Sequence, residues 1–392
     1  MRSPLFPFFL TLGVFVAGVA LGRGTLSINL GRFTVYMMDL MSIFLIVTSS
    51  SRLFFTQKRV KIIFIPVFIL GILILISWFR GINFFGIEAS TNGFRLYIYF
   101  FATLFFTISL KYSDKFLRVF SFWLGVSGWV LIAIAFVRWF FVVLGLASSP
   151  DWIAAGGMMV RVIFAAPTFF LLQILILSWH TNKQPWKMPF VMLIPYVFLP
   201  VILILQHRTV WVALAFTLFL ILVLNRKLKG ILAFGLLSIF ILIIIIIEWG
   251  NFSAISLNGT VFDLRNFDWR VNGWLALITP ERFQSPLDLL IGQPFGTGYA
   301  RYLPWMSDPI LVSPHNFYIE TFLNIGGLGL AILLTLYGSV LKVLWDSRSN
   351  ELSRGFIIIL AVQLVFFMSY SASYEQGFIL GLALLFGTEK NE

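Results

Sequence analysis

The chain contains no cysteine and only three histidines. Without a thiol it can form no disulfide, no thiolate metal site and no cysteine nucleophile. Three imidazoles are too few for a multi-histidine metal centre, so we expect no metal site. The histidines are His180, His207 and His315.

Charged residues are also scarce. Asp, Glu, Lys and Arg make up 11% of the 392 residues, whereas a soluble domain carries about 25%. Hydrophobic residues make up 59%, and Phe alone occurs 45 times. These figures exclude a disordered, collagen-like or coiled-coil chain. The composition therefore predicts an all-α polytopic integral membrane protein.

Long apolar blocks recur along the chain, and a crossing needs roughly 20 apolar residues in a helix. About twelve blocks qualify. We expect transmembrane helices 1–9 within residues 1–249, a large loop at 250–314, and helices 10–12 within 315–392. The approximate spans are residues 4–22, 33–50, 60–79, 94–110, 117–137, 161–179, 189–205, 209–225, 230–249, 315–341, 355–373 and 377–388.

The basic residues predict an orientation. Placing both termini in the cytoplasm puts 17 of the 28 Lys and Arg residues inside, including all ten Lys, as the positive-inside rule requires. The net charge of +12 thus reflects topology, and we expect no nucleic-acid partner. The 11 outside residues are all Arg. They either snorkel at helix ends or form an outward-facing anion site, because guanidinium groups bind phosphate in a bidentate way.

The loop at residues 250–314 lies outside in this topology and contains six Phe and Trp residues between 262 and 295. We expect an ordered cap with short helices, one of them at residues 269–278 in the membrane interface. A transporter built from two six-helix halves would place its longest loop centrally and inside. The position of this loop therefore disfavours transport.

Two arginines are candidates for binding an anion. Arg208, preceded by His207, lies in a tight turn between the seventh and eighth helices, where partial burial would strengthen its attraction for an anion. Arg270 lies on the predicted interfacial helix. The alternatives are a snorkelling Arg208 and a surface ion pair of Arg270 with Asp268. We expect Arg265, Arg282 and Arg301 to be solvated loop residues, with Arg301 in a supporting role.

His315 and Asn316 open the tenth helix. In the first turn, the positive helix end would keep His315 uncharged near pH 7, as a general base must be; the alternative is a polar helix cap. The two intramembrane acids, Asp39 and Glu320, are functional candidates. For Asp39 we favour a partner for an arginine or a backbone cap, and for Glu320 an orienting or packing role beside Asn316.

The order of these motifs resembles the O-antigen ligase and polymerase superfamily. His315 and Asn316, a nine-residue spacer, and residues 326–329 (Gly-Gly-Leu-Gly) resemble its His-Asn and Gly-x-x-Gly signature after the large periplasmic loop. Residues 291–298 (Ile-Gly-Gln-Pro-Phe-Gly-Thr-Gly) resemble its Pro-x-Gly-x-Gly segment, although Phe295 follows the proline directly. Arg208 resembles the arginine of its Ser-Arg-Gly segment, with His207 and Thr209 in the flanking places.

This resemblance, strongest over residues 200–345, implies a fold like that of GT-C glycosyltransferases and a site at the periplasmic face of the bacterial inner membrane. It implies transfer of a glycan from undecaprenyl diphosphate to an acceptor hydroxyl, without metal or other cofactor. Arg208 and Arg270 would bind the diphosphate and His315 would be the base. His207, Arg301, Asn316 and Glu320 would support them. No paired carboxylates are found, so we expect direct displacement with inversion.

We favour an O-antigen ligase whose acceptor is lipid A-core. The first alternative is a polymerase of the same family, which differs only in its acceptor. A protein O-glycosyltransferase is disfavoured because such chains carry an additional soluble segment. The alternative from another class is a lipid or solute transporter, in which the outward arginines would attract substrate.

Overall fold

The computed structural model describes residues 6–21, 26–31, 33–53, 57–146, 153–155, 158–181, 191–225, 229, 265–283, 285–303, 308–372 and 374–388. These ranges are predominantly helical, with two short β-hairpins, which agrees with the predicted all-α class. The chain forms two compact units. The first comprises Met1–Phe116, Phe267–Ser353 and Phe367–Glu392, and the second comprises Leu117–Asn266 and Arg354–Phe366.

The first unit is built mainly from helices. α1 spans Phe6–Leu21, and strands β1 (Ser27–Leu30) and β2 (Phe33–Tyr36) form an antiparallel hairpin before α2 (Met37–Leu53) and α3 (Gln57–Ile108). Three short elements precede the long α10: α8 (Arg265–Leu277), a 3-10 turn (Pro280–Arg282) and α9 (Pro286–Ile291). The unit also contains α10 (Phe317–Asp346) and α12 (Tyr374–Thr388).

The second unit contains α4 (Asp114–Val143), the hairpin of β3 (Ile153–Ala155) and β4 (Met158–Arg161), and α5 (Ala165–Thr181). The short helices α6 (Ile194–Ile204) and α7 (Arg208–Leu224) follow, and most of α11 (Glu351–Phe366) belongs here. Phe169 of α5 stacks on Phe366 of α11 with ring centroids 4.1 Å apart.

α3 is a helical hairpin rather than one straight rod. Gly86 has φ 81 and ψ 170, which breaks the helix. The rings of Trp78 and Phe94 stack with centroids 4.9 Å apart, although 16 residues in a straight helix would span about 24 Å. The chain therefore reverses at Gly86. Residues 57–85 and 87–108 form two antiparallel arms.

α12 is the central helix of the first unit, and its residues from Glu375 to Thr388 are all buried. It packs closely on the second arm of α3 because Gly377 and Gly381 bring the backbones together. A Cβ at Gly377 would lie 2.1 Å from the carbonyl oxygen of Phe100. Small residues four apart are the usual basis of close helix packing in membranes.

Three described helices are long and apolar enough to cross a membrane: Arg59–Ile108, Phe116–Val143 and Phe317–Asp346. This supports the membrane class, while the prediction of about twelve crossings stays a prediction. Residues 80–93, predicted to be a loop, are helical except at Gly86. Residues 33–36, assigned to a span, form β2. The predicted span at residues 230–249 lies outside the described residues.

Candidate functional site

His315 lies immediately before α10, with a backbone φ of 51°. Asn316 is the N-cap, and its Oδ1 accepts from the backbone N–H groups of Tyr318 at 3.0 Å and Ile319 at 3.1 Å. The expectation that His315 occupies the first helical turn is therefore wrong. Asn316 takes the capping role, which leaves the His315 side chain free of it.

The left-handed backbone at His315 is unusual. Within the described ranges only Gln206 and His315 have positive φ among the non-glycine residues. Such conformations are sparsely populated, and they cluster at functional sites where the surroundings hold them in place. Both outliers lie within two residues of a side chain that the sequence assigns to catalysis or diphosphate binding.

α8 packs beside His315. Trp274 donates from Nε1 to the carbonyl oxygen of Pro314 at 2.7 Å, which fixes α8 against the segment preceding α10. The helix confirms the predicted element at residues 269–278, although it begins four residues earlier. Because α8 is fixed at this point, Arg270 is held one turn before Trp274 on the same helix.

Arg270 is half-buried. Its guanidinium carbon lies 5.6 Å from the ring centroid of Tyr370, and Nη1 makes a long contact of 3.4 Å with the carbonyl oxygen of Ser369. Of the described carboxylates, none lies within ion-pair distance of Arg270. The alternative of a surface ion pair with Asp268 is therefore wrong. The charge of Arg270 is available to an anion.

Arg301 is buried, with 3% of its surface exposed, so the expectation of a solvated loop residue is wrong. Its Nη1 donates to the carbonyl oxygens of Val312 at 2.8 Å and Tyr299 at 3.1 Å. The guanidinium also stacks over Trp269 of α8, 5.5 Å from the ring centroid. Gly273 makes room for it, because a Cβ there would lie 2.8 Å from Nε.

The two arginines act electrostatically on His315. Burial lowers the pKa of the imidazole below its usual value of 6.5, and the positive charges of Arg270 and Arg301 lower it further. All three effects disfavour a second positive charge on the ring. The ring is therefore neutral near pH 7, as predicted, but the cause is burial and two guanidinium groups.

Glu320 connects the two segments that hold these arginines. Its Oε1 accepts from the hydroxyl of Tyr299 at 2.8 Å, and its Oε2 accepts from the hydroxyl of Ser371. Tyr299 supplies a carbonyl to Arg301, and Ser371 follows Tyr370, whose ring stacks on Arg270. The predicted orienting role of Glu320 beside Asn316 agrees with these contacts.

Asn316 and Phe317 fix the same region from the other side. Asn316 Nδ2 donates to the carbonyl oxygen of Met368 at 3.1 Å. The backbone N–H of Phe317 donates to the carbonyl oxygen of Phe367 at 2.9 Å. The turn after α11 is thus held against the start of α10. Asn316 therefore positions the segment carrying Tyr370 in addition to capping the helix.

The glycine motif at residues 326–329 has a structural role. Gly326 has φ 73 and breaks α10, and a Cβ there would lie 2.2 Å from the carbonyl oxygen of Leu290 in α9. Gly292, with φ 87, approaches the backbone of Asn324 as closely. Two glycines therefore let α9 cross the broken part of α10 at backbone contact.

Two other arginines of the first unit have acidic partners. Arg80 pairs with Asp288. Arg95 pairs with Asp39, at 3.0 Å from Nη2 to Oδ2. Asp39 also accepts from the backbone N–H of Tyr36 at 2.9 Å. The favoured structural role of Asp39, as arginine partner and backbone cap, is confirmed.

Arg208 belongs to the second unit, where it is the first residue of α7. His207 precedes it and is buried, with Nε2 at 2.9 Å from the carbonyl oxygen of Ile163. Burial lowers the pKa of His207 to about 4, aided by the charge of Arg161. A carbonyl only accepts, so Nε2 carries the proton and His207 is a neutral structural donor. The meeting of Arg208 with Arg270 and His315 stays a prediction.

Several residues around His315 were missed from the sequence. Tyr299, Tyr370, Ser371 and Trp269 belong to no motif, and the side chain of each contacts a partner far away in the chain. Their one sequence signal is position, since each lies within two residues of a candidate arginine or beside the turn that follows α11.

Taken together, the described surroundings of His315 contain an uncharged imidazole, two guanidinium groups and a carboxylate that orients their supports. The neutral imidazole can accept a proton while the guanidinium groups bind a negatively charged group. In the part of the chain that the structure describes, no cluster of three or more His, Cys, Asp or Glu residues has metal-binding geometry. Comparison with known proteins found no matching family model and no matching curated protein.

Proposed function

We propose that the protein is a membrane glycosyltransferase that moves a glycan from undecaprenyl diphosphate to an acceptor hydroxyl. The observation that carries this proposal is the neutral His315 flanked by Arg270 and Arg301. Arg270 has a charge uncompensated by any described carboxylate, and both charges lower the pKa of the ring. A site of this kind suits a reaction in which an anion leaves and a hydroxyl loses a proton.

The chemistry requires only these groups. His315 removes the proton from the acceptor hydroxyl, whose oxygen attacks the anomeric carbon of the donor sugar. The bond from that carbon to the diphosphate oxygen breaks, and undecaprenyl diphosphate leaves with the bonding electrons. Arg270 would stabilise the negative charge of the leaving diphosphate. One displacement inverts the anomeric carbon.

Arg301 contributes mainly by position. Its Nη1 donates to two carbonyl groups and its plane lies over Trp269, which supports a role in holding the loop and in adding positive potential at His315. The two arginines near His315 therefore have different proposed roles. Arg270 is proposed to contact the diphosphate, and Arg301 to support the site.

The finer assignment rests on the sequence resemblance. We propose an O-antigen ligase in the bacterial inner membrane, with both termini in the cytoplasm and the site facing the periplasm. The donor would be an undecaprenyl-diphosphate-linked glycan, and the acceptor lipid A-core. A polymerase would use the same site with another carrier-linked repeat as acceptor.

The test is glycan transfer by the purified protein in liposomes, with donor and acceptor lipids, no nucleotide and excess chelator. We expect transfer by the unmodified protein. His315→Asn removes the base but suits the left-handed backbone, since Asn adopts positive φ more readily than most residues. We expect this variant to lose transfer by about 100-fold or more, the lower range for general base catalysis.

Two controls separate the proposal from misfolding and from transport. Arg348→Gln changes an exposed arginine that stacks on Trp345, and it should keep the full rate. Donor uptake into sealed liposomes without glycan transfer would instead indicate a transporter. Full transfer by His315→Asn would remove the base assignment.

A further inference from the structure

α9 exposes a purely apolar surface. Leu287, Leu289 and Leu290 are 53%, 43% and 53% exposed. Asp288, which lies between them in sequence, is instead buried and paired with Arg80. The charge of this short helix is therefore directed into the protein and its leucines away from it.

The length of α10 beyond its contact with α9 can be compared with the thickness of a membrane. α9 contacts α10 at Gly326, where a Cβ would lie 2.2 Å from the carbonyl oxygen of Leu290. From Gly326 to the last residue, Asp346, α10 rises over 20 residues, or about 30 Å. This equals the thickness of the hydrocarbon layer, about 30 Å. Leu290 thus lies one hydrocarbon thickness from the polar end of α10.

The first arm of α3 gives the same distance independently. Arg59 and Arg80 are separated by 21 residues, or about 31 Å of helix. Arg80 donates from Nη1 to the carbonyl oxygen of Gly292 at 2.8 Å, directly after α9. Two helices therefore place α9 at the same level.

The lengths along α10 and along the first arm of α3 are counted from the same end of the first unit. Arg59 donates from Nε to the hydroxyl of Thr388 at 3.1 Å. The neighbouring Gly387 packs on Leu344, and a Cβ at Gly387 would lie 3.3 Å from its Cδ2. Leu344 is two residues before Asp346, so Arg59 and Asp346 lie at one end of the first unit. α9 lies at the other end.

The backbone following α9 also suits a place beside hydrocarbon. The N–H of Gln293 donates to the carbonyl oxygen of Leu323 at 2.6 Å, and that of Phe295 donates to Ser77 at 3.1 Å. The carbonyl oxygen of Gln293 accepts from the Ser77 hydroxyl at 2.7 Å, and Pro294 has no N–H. Irregular backbone at membrane depth is tolerated only where protein satisfies its polar groups.

We infer that α9 lies at the boundary of the hydrocarbon layer and inserts Leu287, Leu289 and Leu290 among the acyl chains of the bilayer. The partner of this surface is thus the lipid itself. The inference requires that α3 and α10 cross the membrane, and it is independent of glycosyl transfer. Because Gly326 and Gly292 join α9 to α10, whose N-cap Asn316 directly follows His315, the insertion also fixes the depth of the candidate site.

The test uses single cysteines as labelling sites, which is direct because the chain has no cysteine of its own. Leu287→Cys, Leu289→Cys and Leu290→Cys are each labelled with a nitroxide in liposomes. Power saturation then compares collisions with oxygen, which concentrates in hydrocarbon, and with a water-soluble nickel chelate. Phe68→Cys, midway along the first arm of α3 and 57% exposed, is the deep control. Ser349→Cys, exposed beyond α10, is the aqueous control.

We expect the three α9 labels to give oxygen-to-nickel ratios between those of the two controls, with depths of a few Å below the headgroups. Quenching of a bimane label at residue 289 by brominated lipids should agree, strongest for bromine near the carbonyl end of the chain. Nickel accessibility equal to that at residue 349, with no bromine quenching, would overturn the inference. Each α9 substitution replaces an exposed leucine, so we expect the three variants to fold.

Discussion

The guanidinium of Arg270 lies close enough to His315 to lower the pKa of its imidazole. The two residues come from different segments, α8 and the start of α10, which are joined by the hydrogen bond from Trp274 to Pro314. A positive charge that has no described carboxylate partner thus lowers the pKa of a base and keeps it neutral. This pairing is the physical basis of the proposed transfer reaction.

The first prediction concerns the ionisation of His315. Its pKa lies below 6.5 because of burial and two positive charges. Arg270→Gln removes one of those charges, so the pKa of His315 should rise towards 6.5. With 13C-labelled histidine, NMR resolves three ring signals against pH, one for each histidine. The control Arg348→Gln should leave all three midpoints unchanged, and an unchanged His315 midpoint in Arg270→Gln would contradict the pairing.

The second prediction concerns His207 and stability. Its pKa falls from 6.5 to about 4 on folding, so the unfolded chain binds more protons between these values, and stability is lost as the pH falls through this window. The full effect is about 3 kcal/mol at most. His207→Gln keeps a side-chain donor for Ile163 but cannot titrate.

The measurement is the apparent melting temperature by tryptophan fluorescence, from pH 7 to pH 4. The unmodified protein should lose more stability over this range than His207→Gln does. Parallel curves for the two proteins would show that folding does not lower the pKa of His207.

The third prediction separates charge from geometry at Arg301. Arg301→Lys keeps the charge, but one ammonium cannot reach two carbonyl oxygens and also stack its plane on Trp269. Leaving a buried carbonyl unsatisfied costs about 1–3 kcal/mol. We expect faster amide exchange at Arg301 and Ile310, whose backbones pair at 3.1 and 2.8 Å. Unchanged exchange in Arg301→Lys would mean that the charge alone matters.

The fourth prediction uses adjacent glycines as a matched pair. Gly326→Ala should prevent folding of the first unit or reduce its expression severely, because its Cβ would lie 2.2 Å from the carbonyl oxygen of Leu290 at a positive φ. Gly327→Ala should be tolerated, since its nearest neighbour would be 3.5 Å away. Monodisperse yield after solubilisation distinguishes the two variants. Equal yields would refute the backbone contact between α9 and α10.

The sequence predicted elements whose signals are local. α8 was predicted from the helical spacing of its apolar residues, and the start of α10 from His315 and Asn316, because a helix and its cap depend on neighbouring residues. The split of α3 was also visible as two apolar blocks. Arg80, Glu88 and Asn92 favour a loop over residues 80–93. In the hairpin, Arg80 instead pairs with Asp288, Asn92 accepts from Arg95, and Glu88 is exposed.

What the sequence could not predict depends on distant partners. Arg301 is buried because Gly273 and Trp269, about 30 residues earlier, accommodate it. Glu320 is oriented by Tyr299 and Ser371, which lie on two separate segments. Neither arrangement leaves a periodic pattern in the chain. The candidate base was therefore predictable, whereas its supports were not.

The most direct test of the central claim is the binding of undecaprenyl diphosphate to the purified protein in nanodiscs, compared with undecaprenyl monophosphate. We predict tighter binding of the diphosphate, a loss of about 10-fold or more in Arg270→Gln, since charge-assisted hydrogen bonds contribute about 1.5–3 kcal/mol, and no loss in Arg348→Gln. Equal affinity of Arg270→Gln and the unmodified protein for the diphosphate would contradict the proposal.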